Sequence, residues 1–83
     1  MAVKIKIDKK SQAPAYRQII QQVTSLIKTG AFKPGDKLPT ERQLALELRI
    51  ARGTIKRAYE SLVRDNFIEV AQGRGSFVSS RQP

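Results

Sequence analysis

The chain has 83 residues, room for one small domain, and a fold near that size buries only roughly 60% of the surface its unfolded chain exposes. Sixteen Lys and Arg against seven Asp and Glu give a net charge of +9, and cysteine and histidine are both absent. Disulfides, thiolate metal sites and the commonest general base are thereby excluded, and the charge directs attention to polyanions.

The start, "MAVKIKIDKK", has neither the apolar stretch nor the small-residue cleavage site of a secretory signal, and the apolar runs of the chain are too short for a membrane span. The expectation is a cytoplasmic protein without membrane contact. Val3, Ile5 and Ile7 alternate with Lys4 and Lys6, which reads as a short extended segment with its lysines toward water, or as a loose arm. Residues 1–10 are assigned to this N-terminal extended arm or short strand. Pro14 suits a first helical position, and Tyr16, Ile19, Ile20, Val23 and Ile27 then share one face at helical spacing up to Gly30. Pro34-Gly35 predicts a type II turn, because proline presets its φ and glycine accepts positive φ.

Thr40 and Gln43 match the capping box that opens a helix, placing the second helix start at about Glu41. Its apolar stripe, Leu44, Ala45 and Leu48, breaks at Arg49-Ile50-Ala51. A third helix follows almost at once, with Ile55, Ala58, Tyr59 and Leu62 on its buried face and Val63 widening it. Asn66 can end it, since asparagine tolerates the left-handed conformation. Two short runs rich in Val, Ile and Phe then flank Gly73-Arg74-Gly75, a β-hairpin pattern, and residues 80–83 read as a frayed tail. Tyr16, Tyr59, Phe32, Phe67 and Phe77 are read as core rather than as base-stacking platforms.

Two helices joined by a three- or four-residue turn form the helix-turn-helix pattern. The major groove of DNA admits one α-helix, and residues in its exposed first turns reach base edges, so readers crowd the amino end. Between Arg49 and Arg64 stand five basic residues and one acid, Glu60. An ordinary solvated helix face, with Glu60 paired to Lys56 or Arg57, is the competing account of Arg52, Lys56 and Arg57. The position of these residues directly after a tight joint favours DNA. Gly73-Arg74-Gly75 is a good hairpin turn in any case, and its arginine can also enter the minor groove or touch phosphate.

The blocks "APAYRQIIQQV", "TGAFKPGDKLPTERQLALEL", "TIKRAYESL" and "GRGSFV" together resemble the winged helix-turn-helix domain of GntR-type bacterial transcription regulators, across nearly the whole chain. The resemblance implies a mainly α fold of three helices plus a small β wing, here residues 11–79. It implies a homodimer of the full-length protein on a two-fold symmetric operator, acting as a repressor. It also implies an effector or dimerisation region C-terminal to this domain, absent here, so that the domain itself binds no effector ligand. By position, Arg42 is similar to the family's DNA-contacting arginine at the start of helix two. Arg52 matches the base-reading arginine that opens the recognition helix, and Thr54 and Lys56 sit where relatives contact phosphate or bases. Gln72 and Gly73 align with the wing tip, with Arg74 beside them.

Three residues depart from the family pattern. Arg49 stands where glycine is usual in the inter-helix turn, at about 1 kcal/mol if φ there is positive. Ala51 replaces the usual Ser or Thr cap, and Gly53 offers no side chain to read a base but allows close backbone approach. The expected DNA-binding set is Arg42, Arg52, Gly53, Thr54, Lys56, Arg57, Gln72, Gly73 and Arg74. Neither cofactor nor metal is expected. Scattered carboxylates without His or Cys leave no visible acid/base couple, so no enzyme is expected; the alternative function is a winged-helix interaction module binding an acidic partner.

Overall fold

A computed structural model describes residues 5–80, so Val3 and Lys4 of the N-terminal alternation and residues 81–83 of the tail lie outside the described residues. Helix α1 spans Ala15–Lys28, α2 Glu41–Leu48 and α3 Arg52–Arg64; strands β1 Ile68–Ala71 and β2 Gly75–Val78 follow. This is the winged helix-turn-helix order.

Pro14 caps α1 instead of forming its first residue. Its φ of −58° suits a helix, but ψ of 151° leaves it extended, and its carbonyl accepts from Arg17 N at 3.0 Å and Gln18 N at 3.1 Å. Ile19, Val23 and Ile27 face the core, while Tyr16 and Ile20 are half-buried beside it. The described part of the N-terminal alternation, from Ile5 onward, joins no sheet ladder. Residues 5–8 are held along α1 by two glutamines: the Gln18 side chain accepts from Asp8 N at 2.8 Å and donates to Asp8 O, and Gln22 bridges both backbone groups of Lys6. Ile5 is thereby buried and Lys6 left exposed.

Pro34-Gly35 forms the expected turn, with Gly35 at φ 88° and Asp36 N donating to Lys33 O at 3.0 Å. The chain then runs along β2. Gly35 N donates to Val78 O, Val78 N to Asp36 O, and Leu38 N to Ser76 O, all within 2.9 Å. Strand β2 is thus flanked by β1, in register Ile68↔Val78 through Ala71↔Gly75, and by the segment around Lys37, which bridges Phe77. Sequence reading placed a turn there but not this third edge.

Helix α3 is the hub, packing on α1, α2 and β1. Ile55, Ala58, Tyr59 and Leu62 are at most 3% exposed. Val63 does not widen that face. One residue is about 100° of helical turn, which carries it off the face centred on Leu62, and it is 37% exposed. Helix α3 ends as expected at Asn66, which takes φ 64°; Phe67 N closes on Leu62 O at 2.9 Å and Asn66 N on Val63 O at 3.1 Å. Of the five aromatics read as core, Phe32 and Tyr59 are buried; Tyr16, Phe67 and Phe77 are half-buried. Among the described residues no helix is long and apolar enough to cross a membrane.

Candidate nucleic-acid interface

The joint between α2 and α3 decides where α3 begins, and its chemistry is local. Thr40 Oγ1 accepts from Gln43 N at 3.0 Å while Gln43 Oε1 accepts from Thr40 N at 3.0 Å, so the capping box is complete. At the other end of α2, Arg49 adopts φ 57°, ψ 45°, the left-handed region that costs a non-glycine residue about 1 kcal/mol. Two closures offset that cost. Arg49 N and Ile50 N both donate to Ala45 O, and Ile50 packs half-buried against the core. Ala51 is then the cap of α3 in the right backbone conformation, φ −64° and ψ 139°, but with no side-chain oxygen to offer.

This short joint leaves the amino end of α3 in solvent. Arg52, Gly53, Lys56 and Arg57 are exposed, and Thr54 is half-buried where the helix turns inward. Beyond its chain neighbours and its own helix backbone, nothing comes within 4 Å of a Cβ built on Gly53, so a flat surface can approach its backbone closely. The Arg52 side chain is 68% exposed, with Nε 3.8 Å from Glu41 Oε1 at the start of α2. So long a surface pair is weak and readily exchanged for another acceptor. It brings the first residues of α2 and α3 together. Arg42, next to Glu41, is exposed on the same first turn of α2.

The remaining expected residues lie elsewhere. Gln72, Gly73 and Arg74 are exposed at the hairpin tip, where Arg74 N donates to Ala71 O at 2.9 Å and Gly73 takes φ 79°. Arg57 is turned toward α1. Its guanidinium carbon lies 3.9 Å from the centroid of the Tyr16 ring, a cation–π contact that sequence spacing alone did not reveal.

Two supporting residues were also missed. Tyr59, read only as core, donates its hydroxyl to Pro39 O at 2.7 Å and so ties α3 to the residue before the Thr40 cap. Burial, and then the negative charge of Glu41, hold this phenol well above the ordinary tyrosine range, so it stays a donor. Lys37 lies against the wing, its Cε 3.2 Å from where a Cβ on Gly75 would stand. A lysine after a Pro-Gly turn carries no periodic signal, and only the third-edge pairing places it there. Among the described residues no three His, Cys, Asp or Glu are grouped as a metal site would need.

Comparison with known proteins agrees with this geometry. The family model "Bacterial regulatory proteins, gntR family" matches residues 15–78. The chain is 45% identical over 75 residues to the HTH-type transcriptional repressor YtrA of Bacillus subtilis (strain 168), covering 90% of this chain and 58% of that relative. It therefore spans less than two thirds of the relative's length. Among solved structures, YtrA from Sulfolobus acidocaldarius, a GntR-family transcription factor, superposes with a TM-score of 0.86 at 47% identity, over 93% of this chain and 66% of that one. The AraR DNA-binding domain in complex with operator ORX1 superposes with a TM-score of 0.79 at 29% identity, over 89% and 94% of the two chains.

Proposed function

The chain belongs to the gntR family of bacterial regulatory proteins, and from that membership we propose that it binds double-stranded DNA sequence-specifically and represses transcription at an operator of two-fold symmetry. The observation that carries the reading is the solvent-exposed amino end of α3, with Arg52, Gly53 and Lys56 accessible and Arg52 only weakly engaged. A related DNA-binding domain with this fold was solved on its operator, which supports the same use here.

In this reading Arg52, Thr54 and Lys56 serve the major groove, Gly53 lets the backbone close on the duplex, and Arg42 meets the adjacent backbone or a base. Arg57 lends charge at the flank of α3. Gln72, Gly73 and Arg74 bring the wing to the minor groove or its phosphates. The protein to which the domain belongs acts as a homodimer in the cytoplasm, takes its effector outside residues 11–79, and is not an enzyme. Residues 5–10 form an N-terminal arm alongside the domain.

Selection of bound sites from a random duplex library tests this directly. A recovered motif with two half-sites about one helical turn apart is the expected result. Failure to retain any duplex at low salt would sink the DNA reading and leave the acidic-partner module.

A further inference from the structure

Between α1 and the middle and carboxyl-terminal turns of α3, a cleft of about 560 Å³ opens. Tyr16, Ile20 and Ser61 line it together with three arginines, Arg17, Arg57 and Arg64. Three guanidiniums around one cleft concentrate positive charge, which an anion would neutralise. No carboxylate of the described residues does so. The salt bridge within reach of α3 is Arg52 with Glu41, away from the cleft, and Glu60, on the same helix between Arg57 and Arg64, pairs with neither.

The contact of Arg57 with Tyr16 gives the cluster a fixed geometry. The ring covers one face of the guanidinium at 3.9 Å, which leaves the N–H groups at its edge free to donate in their plane. On α3 the cleft runs from Arg57 through Ser61 to Arg64, the turns that follow the exposed amino end. Arg64 lies seven residues beyond Arg57, about 10 Å along the helix axis. A track of that length is long enough to meet more than one phosphate of a strand.

We propose that this cleft is a second phosphate site, in which Arg17, Arg57 and Arg64 hold the backbone of the DNA strand bordering the groove that α3 enters. The inference rests on the DNA reading above and adds Arg17 and Arg64, residues outside the expected binding set, to the surface that meets the duplex. Contacts of this kind position the protein and carry no sequence information.

The test uses the full chain and its R17Q/R64Q variant, with binding measured against salt on the duplex recovered by selection and on one of random sequence. Each neutralised phosphate contributes a slope of about 0.9 in log affinity against log salt, so the variant is expected to lose about 1.8 on both duplexes and to keep its preference for the selected one. R17K/R64K, which keeps the charges, is expected to retain the wild-type slope. Both residues are exposed, and the single variants R17Q and R64Q, each expected to lose about 0.9, decide the matter if the double variant fails to fold. A wild type that binds the selected duplex with a slope the variants share would overturn the phosphate track and leave the DNA reading standing. Selective loss on the chosen duplex would overturn it too, because the cleft would then be reading bases. If the slope is unchanged but retention on immobilised polyglutamate is lost, the cleft serves an acidic protein and the proposal falls. A wild type that binds no duplex removes both readings.

Discussion

Ala51→Ser supplies the cap oxygen that α3 lacks. The backbone is already disposed for it, since Ala51 has the extended cap conformation, φ −64° and ψ 139°, and its carbonyl accepts from Thr54 N at 3.0 Å. A serine oxygen there reaches the Gly53 or Thr54 amide without rearrangement, and replacing alanine by serine at a helix cap is worth about 1 kcal/mol. Because α3 packs on α1, α2 and β1, that gain acts on the whole cooperative unit and not on a fraying end. For a domain of 83 residues it corresponds to a rise in Tm of about 4–8 °C. In urea, with a slope near 1–2 kcal/mol per molar, the midpoint moves up by about 0.5–1 M. Scanning calorimetry and urea titration of the two proteins at equal concentration measure both. An unchanged or lower midpoint, with the urea slope intact, would show that water already satisfies these amides and would refute the cap argument.

Other perturbations follow from the same geometry. Arg49→Gly relieves a left-handed arginine at φ 57° but gives the unfolded chain more freedom, so the net gain is expected to be below about 1 kcal/mol in thermal melts; a loss would mean that the arginine side chain makes stabilising contacts. Tyr59→Phe removes the hydroxyl bonded to Pro39 O and is expected to destabilise by about 1 kcal/mol at neutral pH. The same variant tests the raised phenol. Above about pH 10 the unfolded tyrosine ionises while the folded one keeps its proton, so wild-type stability falls with rising pH, and the phenylalanine variant is expected to lose that part of the fall. Parallel curves for the two proteins would contradict it. Arg52→Ala is expected to cost about 1–3 kcal/mol on the selected duplex and to relax one base position per half-site in competition binding, and equal loss on random duplex would remove Arg52 from base reading. Arg74→Ala is expected to weaken both duplexes alike and to lower the salt slope by about 0.9, which an unaltered slope would exclude.

Much of the fold was legible because its signals are local. The capping box at Thr40 and Gln43, the Pro34-Gly35 turn and the Asn66 stop each depend on atoms within a few residues, and all three form as the chain order suggests. Buried faces also followed from periodicity, except at an edge: Val63 lies one step beyond Leu62 and is exposed, and period alone cannot say how wide the covered face is. The N-terminal alternation was ambiguous for the same reason. Ile5 is buried because Gln18 and Gln22 on α1 take up the backbone groups of Asp8 and Lys6, a partnership between residues ten to sixteen positions apart.

By itself the sequence determined the order and rough extent of the three helices, the hairpin, the charge and the tight joint between α2 and α3, since these follow from backbone conformation and composition. Only the tertiary structure decided what each cation faces. It set Arg52 beside Glu41, laid Arg57 on Tyr16 of another helix and gathered Arg17 and Arg64 around the same cleft. Charge acts through space, and the distance between two side chains on different helices is fixed by how those helices pack, not by their separation along the chain.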